Sequence, residues 1–96
     1  MRTLAQHLDE IRWLIAEAKA GADRITLVTG IRAHMIAIAT HLQPRDPAAM
    51  AQAEWSLSQA VAAYAKLFNS ADGQVEAAAM ERSFILYRAS VEGRNS

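Results

Sequence analysis

Few side chains in this sequence could take part in chemistry, and the histidines are the first to consider. His7 and Glu10 are three residues apart, which places both on one face of a helix, but two ligands without a second pair do not complete a metal site. His34 and His41 are seven apart, so on a helix they would lie about 10 Å from each other, farther than one metal ion spans. We therefore expect no metal, no other cofactor and no catalytic residue.

Composition narrows the function classes further. The sequence has no cysteine, which excludes a disulfide framework, a thiolate zinc site and a cysteine nucleophile, and fits a cytoplasmic protein. It has neither a Gly-x-Ser-x-Gly motif nor a glycine-rich phosphate loop. Its 10 basic and 10 acidic residues give zero formal charge, without the lysine and arginine cluster that nucleic-acid binding requires. The sequence predicts a protein that is not an enzyme and does not bind nucleic acid.

Apolar residues recur at helical spacing along the whole chain, which predicts four helices. Thr3 and Gln6 match a capping box at the start of the first helix, Gly21 supplies the left-handed residue after its end, and Asp23 caps the second helix. The apolar stripes of the four helices are Leu4, Leu8, Ile11, Leu14, Ile15 and Ala18; Leu27, Val28, Ile31, Met35, Ile38 and Leu42; Met50, Ala53, Leu57, Val61, Tyr64 and Phe68; and Ala77, Met80, Phe84, Tyr87 and Val91.

The central stretch of the second helix, residues 25–42, has Arg32 as its one formal charge, and its small residues, including Gly30, allow a neighbouring helix to approach closely. Its length is near that of a minimal membrane span. However, an arginine at the middle of a span costs roughly 2.5–3.5 kcal/mol on insertion scales. We therefore expect a buried helix of a protein that does not span a membrane. Arg32 would then form a buried ion pair, for which Glu54 is the candidate partner.

The sharpest local signal is the segment around Pro44, Asp46 and Pro47, which predicts a structural turn. Pro44 disfavours helix in the residue before it, Asp46 can cap the next helix, and Pro47 suits the first helical position. The segment 69–73 is a turn or a kink. The expected fold is a single all-α domain over residues 1–96, a small antiparallel four-helix bundle with a frayed polar tail from about residue 92. The alternative is a long helical hairpin, kinked at Gly21 and Gly73, that dimerises.

Two tryptophans are the best functional lead, because each lies on the polar side of its own helix. Trp13 lies opposite the stripe of the first helix, and Trp55 is about 160° from Leu57 on the third. Large exposed aromatic residues often mark interfaces. Phe84 and Tyr87 of the fourth helix complete the predicted interaction residues.

The turn and the start of the third helix carry a local pattern formed by Pro44, Asp46, Pro47, Ala48, Ala51, Leu57 and Ser58. This pattern over residues 44–58 resembles the needle subunits of type III secretion systems, in which a Pro-x-Asp-Pro turn precedes an alanine-rich helix. The resemblance implies a helical hairpin that polymerises. The chain departs from that family in being longer, in lacking Trp-Gly near its start and in having a polar C-terminus.

These observations lead to two function hypotheses. The first is a non-catalytic protein–protein interaction module, such as a chaperone, an adaptor or an assembly subunit; one version of this hypothesis is a secretion-associated protein. Its partner would be another protein or a second copy in a homo-oligomer. The alternative is a helical bundle that binds a small ligand or a metal between its helices, using Arg32, His34 and Glu54.

Overall fold

The computed structural model describes residues 3–21, 23–66 and 72–93, and within them the chain forms four α-helices and no strand. The helices are α1 (Leu4–Lys19), α2 (Arg24–His41), α3 (Pro47–Lys66) and α4 (Asp72–Glu92). The predicted all-α class with four helices is confirmed. The chain divides into two compact units, Met1–Leu42 and Gln43–Ser96, and each is a helical hairpin. The prediction of one single domain stays a prediction.

Local capping signals explain where the helices of the first hairpin begin and end. The Thr3 backbone N–H donates to Oε1 of Gln6 at 2.8 Å, and the Gln6 N–H donates to Oγ1 of Thr3 at 3.1 Å, which confirms the capping box. Gly21 follows α1 with φ of +88°, a left-handed conformation that glycine adopts without strain. Asp23 caps α2 by accepting from the Thr26 N–H at 3.3 Å.

The two helices of the first hairpin run antiparallel and approach closely at Gly30. A Cβ atom added to Gly30 would lie 2.9 Å from Cδ1 of Leu14, so the missing side chain makes room for this leucine. The expectation that small residues on α2 allow a close neighbour is therefore confirmed at this position. The buried residues of the hairpin are Leu8, Ile11, Leu14, Ile15, Ala18, Leu27, Val28, Ile31 and Ile38.

The second hairpin begins with the predicted helix break. α2 ends at His41, and the next helix, α3, begins at Pro47. Asp46 caps this helix, because its Oδ1 accepts a hydrogen bond from the Ala49 N–H at 3.1 Å. At the other end, a Cβ added to Gly93 would lie 3.7 Å from Cδ of Arg45, so the end of α4 lies beside the segment before α3. The two helices are antiparallel, and their buried residues are Met50, Ala53, Leu57, Val61, Tyr64, Ala77, Met80, Phe84, Tyr87 and Val91.

The connections decide between the two expected architectures. The chain reverses at Ala20 and Gly21, and α3 packs against α4, so the alternative of one long hairpin with kinks at Gly21 and Gly73 is wrong. Phe68, the segment 69–71 and most of the predicted polar tail lie outside the described residues. Across the described ranges, none of the helices combines the length and apolar character that a membrane span needs.

Candidate functional site

A polar contact between the helices of the first hairpin joins two histidines, His7 of α1 and His34 of α2. Their Nδ1 atoms are 2.9 Å apart, and the ring centroids are 5.1 Å apart with an angle of 55° between the planes. Both side chains are half-buried. At this distance one Nδ1 carries a proton and donates it, while the other accepts through its lone pair.

The apolar seam of the hairpin positions both rings. Leu8 and Ile11 follow His7 on α1, and Ile31 and Ile38 lie one turn before and after His34 on α2; all four are buried. The capping box fixes the start of α1 one turn before His7, whose N–H donates to the Thr3 carbonyl at 3.1 Å. The histidine pair therefore lies toward the end of the hairpin opposite the turn at Gly21.

This pair can share one Nδ1 proton or, when the rings rotate, direct two nitrogen lone pairs toward one electrophile, and it cannot carry protons on both Nδ1 atoms at this distance. Among the residues that the structure describes, it is not joined by a third histidine or carboxylate in a metal-ligating group. The sequence spacings had paired His7 with Glu10 and His34 with His41. Glu10 is half-buried, and His41 is exposed at the last residue of α2.

Sequence reasoning missed the His7–His34 pair because a hairpin, and not a single helix, brings the rings together. A usable signal was present. The chain reverses near Gly21, so a residue of α1 lies opposite the residue of α2 for which the two residue numbers add up to between 41 and 44. His7 with His34 and Leu14 with Gly30 are two such pairs.

Trp13 and Trp55 are both on the surface, with exposed fractions of 58% and 60%. The prediction that both lie off the apolar stripes is confirmed, while their role in an interface stays a prediction. Trp13 stands among charged side chains, next to Asp9, Glu10 and Arg12. It also borders a shallow groove at the turn end of the first hairpin, whose walls are Trp13, Leu14, Glu17, Asp23, Thr26 and Leu27.

Trp55 stands on a different kind of surface, which we call the α3 outer face. Its members are all exposed and share one side of the helix: Ala48, Ala51, Gln52, Trp55, Ser58 and Gln59. None of them is charged, and the whole helix Pro47–Lys66 carries only Glu54 and Lys66 as formal charges. The solvent side of a surface helix is normally rich in charged residues, so this face is unusual.

Phe84 and Tyr87 were predicted as interaction residues, and the structure corrects this. Both are buried, with exposed fractions of 4% and 1%, and their ring centroids are 6.5 Å apart. Burial raises the pKa of the Tyr87 phenol well above its usual range, and the negative charge of Glu54 raises this pKa further. The two rings are core residues because they belong to the heavier apolar stripe of α4, whose burial removes more apolar area from water.

The predicted ion pair of Arg32 and Glu54 combines residues of different hairpins and stays a prediction. Arg32 itself is exposed, not buried as expected.

On α2, Arg32 lies between two exposed aliphatic side chains, Ile25 and Ile36. On α4, Arg82 lies in the same way between Val75 and Leu86, with identical spacing.

We compared the chain with family models, with characterised proteins and with solved structures, and none of them matches it. The resemblance of residues 44–58 to type III secretion needle subunits therefore stays a prediction. What the chain does must be inferred from its own surfaces and side-chain geometry.

Proposed function

We propose that this chain is a non-catalytic helical interaction module that associates with a second copy of itself through the α3 outer face. The observation that supports this proposal is a solvent-facing helix side without charge that carries Trp55, 60% exposed. A large exposed aromatic side chain on an uncharged surface often marks a docking site, and tryptophan is among the residues that most often dominate the binding energy of an interface.

The α3 outer face is complementary to itself. When two copies of α3 pack antiparallel about a two-fold axis between Ala51 and Gln52, Trp55 of each copy lies opposite Ala48 of the other. The alanines leave room for the indole, and the absence of charge avoids repulsion between identical faces. An isologous contact of this kind gives a closed dimer.

The size of this face sets the expected affinity. A helix of 20 residues is about 30 Å long, and one exposed side of it offers less area than the roughly 800 Å² per partner of a standard stable interface. We therefore expect a reversible dimer whose population depends on concentration. Chaperone, adaptor and assembly-subunit roles are all compatible with such reversible helix docking.

The first test is the molar mass of the full chain over a range of concentrations, measured by sedimentation velocity. We expect the wild-type mass to rise from monomer to dimer, and Trp55→Gln to shift the midpoint to at least about tenfold higher concentration. Trp13→Gln is the matched control, because it removes an equally exposed indole from a charged surface, and it should leave the midpoint unchanged.

A second pair of variants tests the role of charge. Ala51→Glu places a carboxylate near the proposed two-fold axis, where the same carboxylate of the other copy repels it, so we expect a monomer. Ala16→Glu makes the same change beside Trp13 on α1, at another exposed alanine, and should not alter the mass. A wild-type chain that stays monomeric at its solubility limit, with solvent-like Trp55 emission, would contradict the proposal.

The alternative function, binding of a ligand between helices by Arg32, His34 and Glu54, requires residues from both hairpins and stays a hypothesis. The His7–His34 contact favours metal chemistry, but it does so within the first hairpin alone.

A further inference from the structure

We infer that His7 and His34 form a binding site for a divalent transition-metal ion that joins α1 to α2. The inference rests on the convergence of two Nδ1 atoms, 2.9 Å apart, on two packed helices. Neutral imidazole nitrogen is a preferred ligand for nickel, copper and zinc. The site concerns the first hairpin only and is independent of the proposed association through α3.

The distance between the nitrogens suits two adjacent ligands of one ion. With metal–nitrogen bonds of about 2.0–2.1 Å, nitrogens 2.9 Å apart subtend an angle of about 90° at the metal. This is the angle between neighbouring ligands in square-planar and octahedral coordination. Tetrahedral zinc would require the nitrogens to separate by about 0.4 Å more. The separation is therefore compatible with Cu²⁺ or Ni²⁺, and Cu²⁺ stands above Zn²⁺ in the usual order of affinities.

The proton balance is simple, because both rings can stay neutral. In the metal-free pair, one ring carries its proton on Nδ1 and the other carries its proton on Nε2. Metal binding requires both Nδ1 lone pairs, so the first ring moves its proton to Nε2 through solvent, and no net proton is released from a neutral pair. Water completes the coordination sphere, since the described residues offer no third histidine or carboxylate in the group.

The position of the site gives it a structural effect. The turn at Ala20 and Gly21 joins α1 and α2 at one end of the hairpin, and the histidine pair lies toward the other end. An ion held by both helices would oppose separation of this end, and it would stabilise the folded hairpin in proportion to metal concentration. The first hairpin would then be more stable with metal than without it.

The test is calorimetric titration of the tag-free full chain with nickel chloride. We expect one ion per chain, and we expect His7→Gln and His34→Gln each to weaken binding by at least about tenfold, since each removes one of two ligands. His41→Gln is the matched control, because His41 is an exposed histidine on the same helix, and its loss should not change the affinity. Far-UV circular dichroism establishes that each variant is helical.

A second measurement uses the wild-type chain itself. Electron paramagnetic resonance of bound Cu²⁺ should show two equatorial imidazole nitrogens, and only one in the His7→Gln chain. Absence of nickel binding by the wild-type chain would overturn the site, as would equal affinity in the wild-type and His7→Gln chains. A doubling of mass on nickel addition in the Trp55→Gln chain would assign the ion to a bridge between copies and would also overturn it.

Discussion

The two hairpins share one architecture but place their unusual side chains in opposite locations. In the first, the polar feature is inside, where His7 and His34 meet between the helices, and the exposed Trp13 is surrounded by charge. In the second, the seam is apolar and aromatic, with Phe84 and Tyr87 in the core, and the unusual surface is outside, around Trp55. The same hairpin architecture can thus place its unusual side chains between the helices or on the outer surface.

The difference follows from where each helix keeps its charge. α1 carries several acidic and basic residues on its exposed side, and these charged side chains keep that surface hydrated. α3 carries two charges in 20 residues, and its exposed side consists of Trp55, two glutamines and small residues. A polar exterior favours solvation, whereas an uncharged exterior favours docking. Three predictions test this contrast, beyond those tied to the two proposals.

The largest effect is expected from truncation of the aromatic core in the second hairpin. Phe84→Ala removes a buried ring and leaves a cavity, which should lower the free energy of unfolding by about 3–5 kcal/mol. Leu86→Ala, two residues further along the same helix, is the control, because Leu86 is exposed and its loss should change this free energy by no more than about 0.5 kcal/mol. Urea denaturation followed by circular dichroism measures both. Equal losses would show that the two stripes of α4 are not distinguished by burial.

A smaller effect is expected at alkaline pH, and it belongs to the second hairpin. Because the pKa of Tyr87 is raised by burial and by Glu54, the folded chain holds this phenolic proton more tightly than the unfolded chain does. The contribution to stability is complete below the ordinary pKa of 10.0 and is lost as the pH rises above it. Tyr87→Phe should flatten this alkaline decline in the urea midpoint. An equally steep decline in that variant would contradict burial of the phenol.

The smallest effect is expected at acidic pH, and it belongs to the first hairpin. The side-chain and backbone hydrogen bonds from Thr26 lower the pKa of Asp23 below its ordinary value of 3.8. The stabilising cap is therefore present above that value and weakens as the pH falls through the lowered pKa. Asp23→Asn keeps a capping side chain but cannot titrate, so the acid-dependent part of the unfolding midpoint should shrink. An unchanged acid profile would show that this cap does not respond to pH.

Features that depend on neighbouring residues in the chain could be predicted from the sequence. The capping box of Thr3 and Gln6, the left-handed Gly21 and the restart at Asp46 and Pro47 are all found where local backbone chemistry requires them. Helical periodicity also identified most of the core, including Leu57 and Val61 of α3. Each of these signals involves only a few neighbouring residues, so all the residues that form it can be identified in the sequence.

Features that depend on two helices meeting could not be read in the same way. The His7–His34 pair exists because the hairpin brings together residues 27 positions apart, and the periodicity of either helix alone does not give the register between them. On α4, apolar residues occupy two sides, and periodicity alone does not state which side is buried. The heavier stripe with Phe84 and Tyr87 is buried, while Val75 and Leu86 are exposed, so the predicted interaction residues came from the wrong side.

Gly21 has one further consequence, which concerns chirality. Its φ of +88° lies in a region that L-residues rarely adopt, and a Cβ added there would lie more than 4 Å from the described residues other than its neighbours in the chain. The obstacle to a side chain at this position is therefore handedness, not space. A D-alanine introduced by chemical synthesis would suit this backbone and would restrict the unfolded chain, whereas L-alanine would be strained in the same open surroundings.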